Sequence, residues 1–498
     1  MYIFLRNNDY RYAAEQMLLM LFPEERPVYP SADLGLREEN AVELELKHGK
    51  TYTTAVCRLR YDRRTAQNHV RACTDGIRAG EERARIEQRI LKLAFYRAAL
   101  DVGVPKPEWG CLTGVRPAKF LAGLMQKDGL TETAAVRMLT ETFGVSKERA
   151  SLALAAERAA ARAKAALAPQ DVCLYIGIPF CPTRCAYCSF VSVDAPKLLK
   201  SIPDYLNALE QEMRSTAAAV KAAGRRIVAV YIGGGTPTTL SAPELDRLLA
   251  DTKACFDLSA CREFTVEAGR PDTVTEEKLA VLVSHGVNRV SVNPQTMSDA
   301  VLEEIGRHHT AAQVREAVAM VKKFPQLAFN MDLIAGLPGD TPESFSDTVR
   351  EVIALGAATI TVHTLALKKG SRFLTEGTAL PDGKAVGEML GDAREKLEAA
   401  GYAPYYLYRQ KFMSGSFENV GWTKPGYENL YNICIMEELC GILAVGAGGS
   451  TKLTAPGGVV KRLMAPKYPR EYMDRIAHTC AEKDEIVRFY NSEPKGTN

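Results

Sequence analysis

Three closely spaced cysteines are the residues of this sequence best placed to do chemistry. Cys181, Cys185 and Cys188 follow the apolar run 172–179 with the spacing C-x3-C-x2-C. Iron–sulfur clusters are normally held by four thiolates, so three cysteines can bind three irons of a [4Fe-4S] cube and leave the fourth open to a small ligand. A zinc site or three unconnected core thiols are the alternatives. Zinc would want a fourth ligand at zinc-type spacing, and no Cys or His follows Cys188 closely.

A glycine-rich segment comes after the second strand predicted downstream of these cysteines. Gly233, Gly234 and Gly235 are followed by Thr236. Glycines let a backbone approach a ligand closely and expose its N–H groups, and the threonine adds a hydroxyl. A tight turn between a strand and a helix is the alternative interpretation of this segment taken alone.

Polar side chains also mark the later strand ends. Glu267 ends the third predicted strand, where its carboxylate could accept hydrogen bonds from a ribose or an amine. Gln295 ends the fourth strand, Arg307 follows it, and Asp332 lies within the fifth. Any one of these residues alone is better explained as structural. Their repeated occurrence at strand ends indicates a common site.

The elements that would position these residues form a regular pattern from Val172 onward. Strand-like runs are expected at 173–178, 227–232, 263–267, 289–292, 328–334 and 359–365. Helical segments are expected near 205–220, 243–256, 276–285, 299–323, 342–355 and 384–399. Six alternating βα units predict an α/β fold with a parallel sheet, in the form of a partial (β/α)6 barrel. In such barrels the chemistry lies at the carboxyl ends of the strands.

The remainder of the chain suggests a division into three domains. Residues 1–168 read as an N-terminal α+β and then helical domain of unknown role, with a hairpin within 42–61 and helices ending near 167. Residues 169–401 hold the partial barrel. Residues 402–498 are expected to form a small C-terminal extension that covers the substrate.

Composition narrows the class of protein. The chain has 498 residues, of which 46% are hydrophobic and 25% charged, as in an ordinary globular protein. A net charge of +3 is too small to imply a nucleic-acid partner. Neither a signal peptide nor a membrane span is expected, because no long apolar run occurs. We expect a cytoplasmic monomer whose twelve cysteines are reduced thiols plus a metal site.

Taken together, the motifs resemble those of the oxygen-independent coproporphyrinogen III oxidases. These are members of the radical S-adenosylmethionine (SAM) superfamily, and the HemZ-type branch is the most similar. The resemblance covers roughly 172–453 and rests on the segments 175–181 (YIGIPFC), 231–237 (YIGGGTP), 267–272, 293–295, 306–310 and 332–339. The stretch 405–410, with 418–421 and 431–432, is similar to the HemZ-type branch in particular.

The resemblance implies the cofactors and the residues that contact them. It implies a [4Fe-4S] cluster on Cys181, Cys185 and Cys188, whose open iron binds SAM and whose electron splits it into methionine and a 5′-deoxyadenosyl radical. It also implies a second SAM, and no catalytic side chain beyond these cofactors. The implied contacts of the first SAM are Tyr175, Gly234 and Glu267, and those of the second are Tyr187, Gly235, Thr236, Gln295, Arg307 and Asp332.

The activity implied is the oxidative decarboxylation of coproporphyrinogen III. Two propionates would become vinyl groups, forming protoporphyrinogen IX in anaerobic haem biosynthesis, and a flavodoxin- or ferredoxin-type protein would donate electrons. The propionate β C–H bond is unactivated, so a carbon radical can remove the hydrogen atom where a base cannot, and such chemistry belongs to the cofactor. Propionates favour arginine partners, and Arg409, flanked by aromatic residues, is the one we favour.

Two departures from the family pattern put the decarboxylation in question. Phe190 stands where the best-known branch has a further cysteine, and Gly177 stands where it has a histidine. Haem chaperones of a sister branch carry a His-Asn-x-x-Tyr-Trp motif, and the corresponding segment 431–436 lacks the histidine and the tryptophan. A haem-binding carrier and a SAM-dependent haem-modifying methyltransferase are the alternative functions.

Five other cysteines after residue 168 show no usual ligand spacing. Cys434 and Cys440 are six residues apart, as are Cys255 and Cys261, and Cys173 lies inside a predicted strand. The sequence therefore favours an interpretation of all five as core thiols.

Overall fold

In the computed structural model the chain divides into two compact units, Met1–Leu154 and Ala155–Asn498. The structure describes residues 1–30, 40–78, 80–188, 199–366, 371–373, 377–410, 414–455 and 458–492. Among these residues, none of the helices combines the length and the apolar content that a membrane span requires. The three-domain division at 168/169 and 401/402 stays a prediction.

The first unit contains a small sheet with the strand order β1-β2-β3-β4. Its strands are β1 Tyr2–Arg6, β2 Ala41–His48, β3 Tyr52–Tyr61 and β4 Arg64–Cys73. The helices that begin in this unit are α1 Arg11–Leu21, α2 Glu81–Asp101, α3 Pro117–Gln126, α4 Glu132–Arg137 and α5 Lys147–Ala165. The predicted hairpin is confirmed as β2 and β3. Strand β4 was not predicted, because its polar residues are mostly exposed or half-buried and leave little apolar alternation.

The second unit is built on a sheet whose six central strands are parallel and follow the chain order. These strands are β5 Asp171–Ile178, β6 Arg226–Gly234, β7 Glu263–Glu267, β8 Arg289–Ser291, β9 Ala328–Ala335 and β10 Thr359–Thr364. The helices between and after them are α6 Ile202–Ala222, α7 Ala242–Cys255, α8 Glu276–Ser284, α9 Asp299–Glu304, α10 Ala311–Val321, α11 Pro342–Leu355 and α12 Gly383–Ala399. The predicted six βα units are therefore present.

The helix predicted for 299–323 is wrong in one respect, because it is two helices. Helix α9 ends at Glu304, and Gly306 adopts a φ of 68°, in the left-handed region that interrupts a helix. Helix α10 begins after Thr310, whose hydroxyl and the side chain of Gln313 form a capping box. The interruption places Arg307 on a connecting loop.

The C-terminal segment extends the sheet on both sides, which the sequence analysis did not predict. The strands are β11 Ala403–Tyr408, β12 Asn419–Thr423, β13 Gly441–Val445, β14 Ser450–Ala455 and β15 Val459–Met464. The sheet order is β11-β12-β10-β9-β8-β7-β6-β5-β13-β14-β15, so β13 lies directly beside β5. The remaining helices are α13 Leu430–Glu437, α14 Pro469–Asp474, α15 Ile476–Ala481 and α16 Asp484–Asn491.

Helix α13 is fixed against the start of strand β7. The carboxylate of Glu263 accepts hydrogen bonds from the backbone N–H groups of Leu430 and Tyr431, at 2.9 and 3.1 Å. These N–H groups have no partner within the helix, and the negative charge is favourable at a helix N-terminus. The Tyr431 ring then stacks on Tyr231 and Tyr175, with centroid separations of 4.5 and 6.3 Å. Three tyrosines thus form one layer of the core.

Candidate functional site

The cysteine motif lies at the carboxyl end of strand β5 and is held there by the loop after β6. The N–H of Gly235 donates to the carbonyl of Ile178 at 2.8 Å, and the N–H of Thr236 donates to Phe180 at 2.7 Å. The Thr236 hydroxyl also donates to Cys181 Sγ at 3.6 Å. The glycine-rich segment therefore supports the loop that carries Cys181, Cys185 and Cys188, which we call the motif cysteines.

The other side of this loop is held by three separate segments. The N–H of Ala186 donates to the Ile305 carbonyl at 3.0 Å, and the N–H of Arg372 donates to the Ala186 carbonyl at 2.9 Å. Buried Arg270 forms a hydrogen bond with the Thr183 hydroxyl and a 3.0 Å ion pair with Asp272. The loop is thus tied to the segments after β6, β7, β8 and β10.

The motif cysteines have the chemistry and the exposure that an iron–sulfur cluster needs. None of the three is in a disulfide, and all are of intermediate burial. Ligands of a four-iron cube bind different irons, so their sulfurs lie farther apart than those around a single ion. Among the described residues, the motif cysteines do not form a group with all sulfurs within 4.8 Å, which agrees with a cube better than with one metal ion.

The glycines of the predicted SAM segment are required by close backbone packing. A Cβ on Gly235 would lie 2.5 Å from the Phe180 carbonyl oxygen, and one on Gly233 would lie 2.9 Å from the Glu267 carboxylate. Gly234 has a φ of 113°, which side chains other than glycine rarely adopt. The segment is therefore more than a generic turn, because its glycines let the backbone pack against the motif loop and Glu267.

Glu267 lies beside this backbone at the end of β7. Its carboxylate accepts a hydrogen bond from the N–H of Gly234 at 3.3 Å and another from the Tyr231 hydroxyl. Burial raises the pKa of Glu267 to about 7. The Tyr175 hydroxyl lies next to Gly234, 3.0 Å from the position of a Cβ there. The three residues predicted to contact the first SAM, Tyr175, Gly234 and Glu267, are thus adjacent.

The residues predicted for a second SAM come from neighbouring strand ends. The backbone of Gln295 pairs with β9, donating to the Asp332 carbonyl and accepting from Ile334, both at 2.9 Å. Gln295 has a φ of 70°, a strained conformation for a residue that is not glycine. The partly exposed Asp332 carboxylate lies 3.9 Å from His363 Nε2. The structure thus places Gln295 and Asp332 next to each other.

Arg307 lies beside Tyr187, which is part of the motif loop. Buried Arg307 donates hydrogen bonds to the carbonyls of Asn293 and Gly269, each at 2.9 Å. In the described part of the chain, no ion pair joins it to Asp332. Burial raises the pKa of Tyr187, and the nearby Arg307 guanidinium opposes that rise. Arg307 thus holds the loop after β8 to the loop after β7.

Two side chains at this end of the barrel were missed in the sequence analysis. Tyr231 hydrogen bonds to Glu267, and His363 lies opposite Asp332. Tyr231 lies three residues before the end of β6 and His363 one residue before the end of β10, and that position was the signal that could have identified them.

Gly177, which the resemblance marks as a departure, is closely packed against the segment after β13. A Cβ at Gly177 would lie 3.2 Å from the Ala447 carbonyl oxygen, and the Tyr205 hydroxyl donates to the Gly177 carbonyl at 2.7 Å. A side chain at this position would therefore require a small shift of that segment. The other departure, Phe190, lies outside the described residues.

Arg409 is more constrained than the sequence analysis assumed. Its Nη2 donates to the Ser416 carbonyl at 2.8 Å, and burial lowers its pKa to about 10. The guanidinium therefore already forms a hydrogen bond with the loop between β11 and β12.

Comparison with known proteins identifies the family. The model of the radical SAM superfamily matches residues 175–352. The oxygen-independent coproporphyrinogen-III oxidase-like protein HemZ of Bacillus subtilis is 37% identical over 382 residues, 76% of each chain. The chain belongs to the radical SAM superfamily, in its HemZ-type branch. The resemblance drawn from the motifs is confirmed.

Two further proteins are similar over a smaller share of the chain. The heme chaperone HemW of Haemophilus influenzae is 32% identical over 302 residues, 60% of this chain and 75% of its own. The structure of coproporphyrinogen III oxidase (HemN) from Escherichia coli superposes with a TM-score of 0.51 at 20% identity. It covers 66% of this chain and 81% of HemN. This likeness confirms the predicted fold class and nothing finer.

Proposed function

We propose that this radical SAM protein oxidises a reduced tetrapyrrole, with coproporphyrinogen III as the first substrate to test. The observation that carries the proposal is the hydrogen bond from the Thr236 hydroxyl to Cys181 Sγ. It links the glycine-rich segment 233–236 to the motif cysteines. The similarity to HemZ directs the choice of substrate class. A flavodoxin- or ferredoxin-type protein is the proposed electron donor.

The residues of the chain would bind and orient the cofactors. When bound, a [4Fe-4S] cluster and SAM supply a carbon radical that can remove an unactivated hydrogen atom. The backbone of 233–235 packs closely against the motif loop and Glu267, and the Glu267 carboxylate, when ionised, could accept hydrogen bonds from an amine or a ribose. Gln295 and Asp332 would form part of a second SAM pocket.

The proposed reaction needs no general base. Each of two propionates would lose a hydrogen atom from its β carbon, then carbon dioxide and one electron, and would become a vinyl group. The electron passes to a one-electron acceptor, and the hydrogen atom passes to the radical. Because no proton is removed from carbon, the residues of the site have to exclude water and hold the substrate in place.

A haem carrier is the second candidate function, favoured by the similarity to HemW. The position of helix α13 argues against haem binding at the segment that corresponds to the chaperone motif. Tyr431 is buried and stacked on Tyr231, and Cys434 is buried in the core. Neither Tyr431 nor Cys434 is therefore available as an axial ligand.

The test is anaerobic incubation of the reconstituted protein with SAM, a reductant and coproporphyrinogen III, followed by mass spectrometry. We expect 5′-deoxyadenosine to accumulate in step with a product lighter by carbon dioxide and hydrogen. Stoichiometric haem binding with a Soret shift, without any tetrapyrrole product, would instead establish the carrier function.

A further inference from the structure

Three buried cysteines that are distant in sequence meet in the core of the second unit. The Sγ atoms of Cys173, Cys434 and Cys440 all lie within 4.8 Å of one another, and those of Cys173 and Cys440 are 3.7 Å apart. All three residues are buried. We call this group the core thiol triad; it shares no residue with the motif cysteines.

The triad is brought together by three different elements. Cys173 lies on β5, where it pairs with Ile442 of β13 on one side and Ala229 of β6 on the other. Cys434 lies on helix α13, and Cys440 immediately precedes β13. Apolar residues surround the sulfurs, including Val228 and Ala229. The site is therefore dry and fixed by the fold.

The triad offers a soft donor set in a compact arrangement. Its three sulfurs lie within 4.8 Å of one another, so all three can reach one ion placed between them. Cysteine sulfur is the ligand that soft metal ions prefer.

We propose that the core thiol triad binds a single soft d10 metal ion, with Cu(I) as the preferred ion. Three sulfurs about 2.3 Å from one ion in a trigonal arrangement are about 4.0 Å apart, which is close to the Cys173–Cys440 separation of 3.7 Å and within the 4.8 Å that spans the triad. Thiolate ligands select soft ions such as Cu(I) and Zn(II), but structural zinc sites almost always have four ligands. The triad offers three, which favours Cu(I).

Metal binding at this position would join β5, α13 and β13. The ion replaces the thiol protons, which pass to solvent. Cys173 and Tyr175 are two residues apart on β5, so their side chains face the same side of the sheet. The ion would therefore lie next to the layer formed by Tyr175, Tyr231 and Tyr431. The inference does not depend on the proposed function, since it concerns the core and not the substrate.

The experiment must separate this site from the motif cysteines. The full chain carrying Cys181→Ala, Cys185→Ala and Cys188→Ala is expressed in copper-supplemented medium and, in parallel, in zinc-supplemented medium. Each protein is purified anaerobically through a chelator, and its metal content is measured. We expect about one copper per chain and less zinc, because three sulfurs satisfy Cu(I) and leave zinc a ligand short.

Matched variants identify the ligands. Adding Cys440→Ala or Cys434→Ala should reduce bound copper to less than about a tenth, since two thiols hold the ion poorly. Adding Cys57→Ala, which removes a buried cysteine outside the triad, should leave the copper content unchanged. X-ray absorption at the copper edge gives a readout that needs no variant, and we expect three sulfur neighbours.

Several results would overturn the proposal. If the variant without the motif cysteines binds neither metal, and all three triad thiols are reactive after unfolding, the triad is ordinary core packing. A loss of two thiols would indicate a disulfide instead. Zinc retained in preference to copper, or nitrogen and oxygen neighbours at the copper edge, would overturn the assignment of Cu(I).

Discussion

The motif cysteines and the core thiol triad are two sets of three thiols on the same strand and its surroundings, yet they differ in almost every physical respect. The motif cysteines are partly exposed, lie on one loop and are more widely separated in space. The triad is buried, comes from three elements and is compact. The first set suits a cluster that meets a substrate, and the second suits a single ion that never does.

This difference shows that proximity in sequence and proximity in space serve different purposes. A loop after a strand can place three thiols around a large cofactor that enters from outside, because local chain geometry is sufficient. A dry single-ion site needs sulfurs from elements that pack against one another. The following predictions separate the two regions, beginning with the largest effect.

Removing one cysteine from each set should affect the iron content differently. We expect Cys185→Ala to abolish both the cluster absorbance and SAM cleavage, because only two of the three motif ligands remain. Cys434→Ala should retain the iron of the wild-type protein, since Cys434 is not a cluster ligand in this assignment. Iron analysis and 5′-deoxyadenosine formation provide the measurements. About four irons per chain in Cys185→Ala would contradict the assignment.

Removing the Asp332 carboxylate should reduce turnover without changing the iron content. Removing a charged contact to a buried ligand typically costs about 2–5 kcal/mol. Asp332→Ala should therefore reduce SAM-dependent turnover by well over tenfold, about 1.4 kcal/mol per factor of ten, with the iron content intact. Turnover is measured below SAM saturation. Wild-type turnover there would leave Asp332 a structural role only.

The packing of the glycine-rich segment against the motif loop can be tested with a matched pair. Gly235→Ala places a Cβ 2.5 Å from the Phe180 carbonyl oxygen, so it should destabilise the loop by about 1–3 kcal/mol. Gly269→Ala places its Cβ 3.8 Å from the nearest described atom and should be nearly neutral. Denaturant unfolding and cluster reconstitution yield are the measurements. Equal behaviour of the two variants would show that the loop is not held by Gly235.

A pH dependence from Glu267 is the last prediction. Burial raises its pKa from 4.5 to about 7, so its contribution to stability is fully present below about pH 4.5 and is lost as the pH rises through about 7. Glu267→Gln cannot ionise and should lose less stability over this window. Thermal unfolding of both proteins at a series of pH values measures the difference. Parallel curves would mean that Glu267 ionises normally.

The grouping of polar residues around the motif loop could be predicted because its signals are local. The spacing of the motif cysteines, the glycines at 233–235 and the position of Glu267 each depend on a few neighbouring residues. The order of the six βα units follows from the same kind of periodic pattern. The structure brings Gln295 and Asp332 together because the segment after β8 continues beside the adjacent parallel strand β9, where Gln295 pairs with Leu333.

What could not be predicted depends on contacts between distant segments. Strand β13 lies beside β5 only in the folded chain, and Cys434 and Cys440 meet Cys173 only because of it. Their six-residue spacing matches no ligand pattern, so the sequence favoured core thiols. The break after α9 was missed for a different reason, since one left-handed glycine outweighed an otherwise helical stretch.

The pairing of β5 with β13 also sets an order of events during protein synthesis. Cys173 and Cys440 are 267 residues apart, so a ribosome releases the motif loop long before residues 441–445 can join strand β5. Until then one side of β5 has unpaired backbone groups, a template for unwanted strand association. Such distant pairings also form slowly. Delivery of iron and sulfide to the motif cysteines should therefore be productive only after translation of this segment is complete.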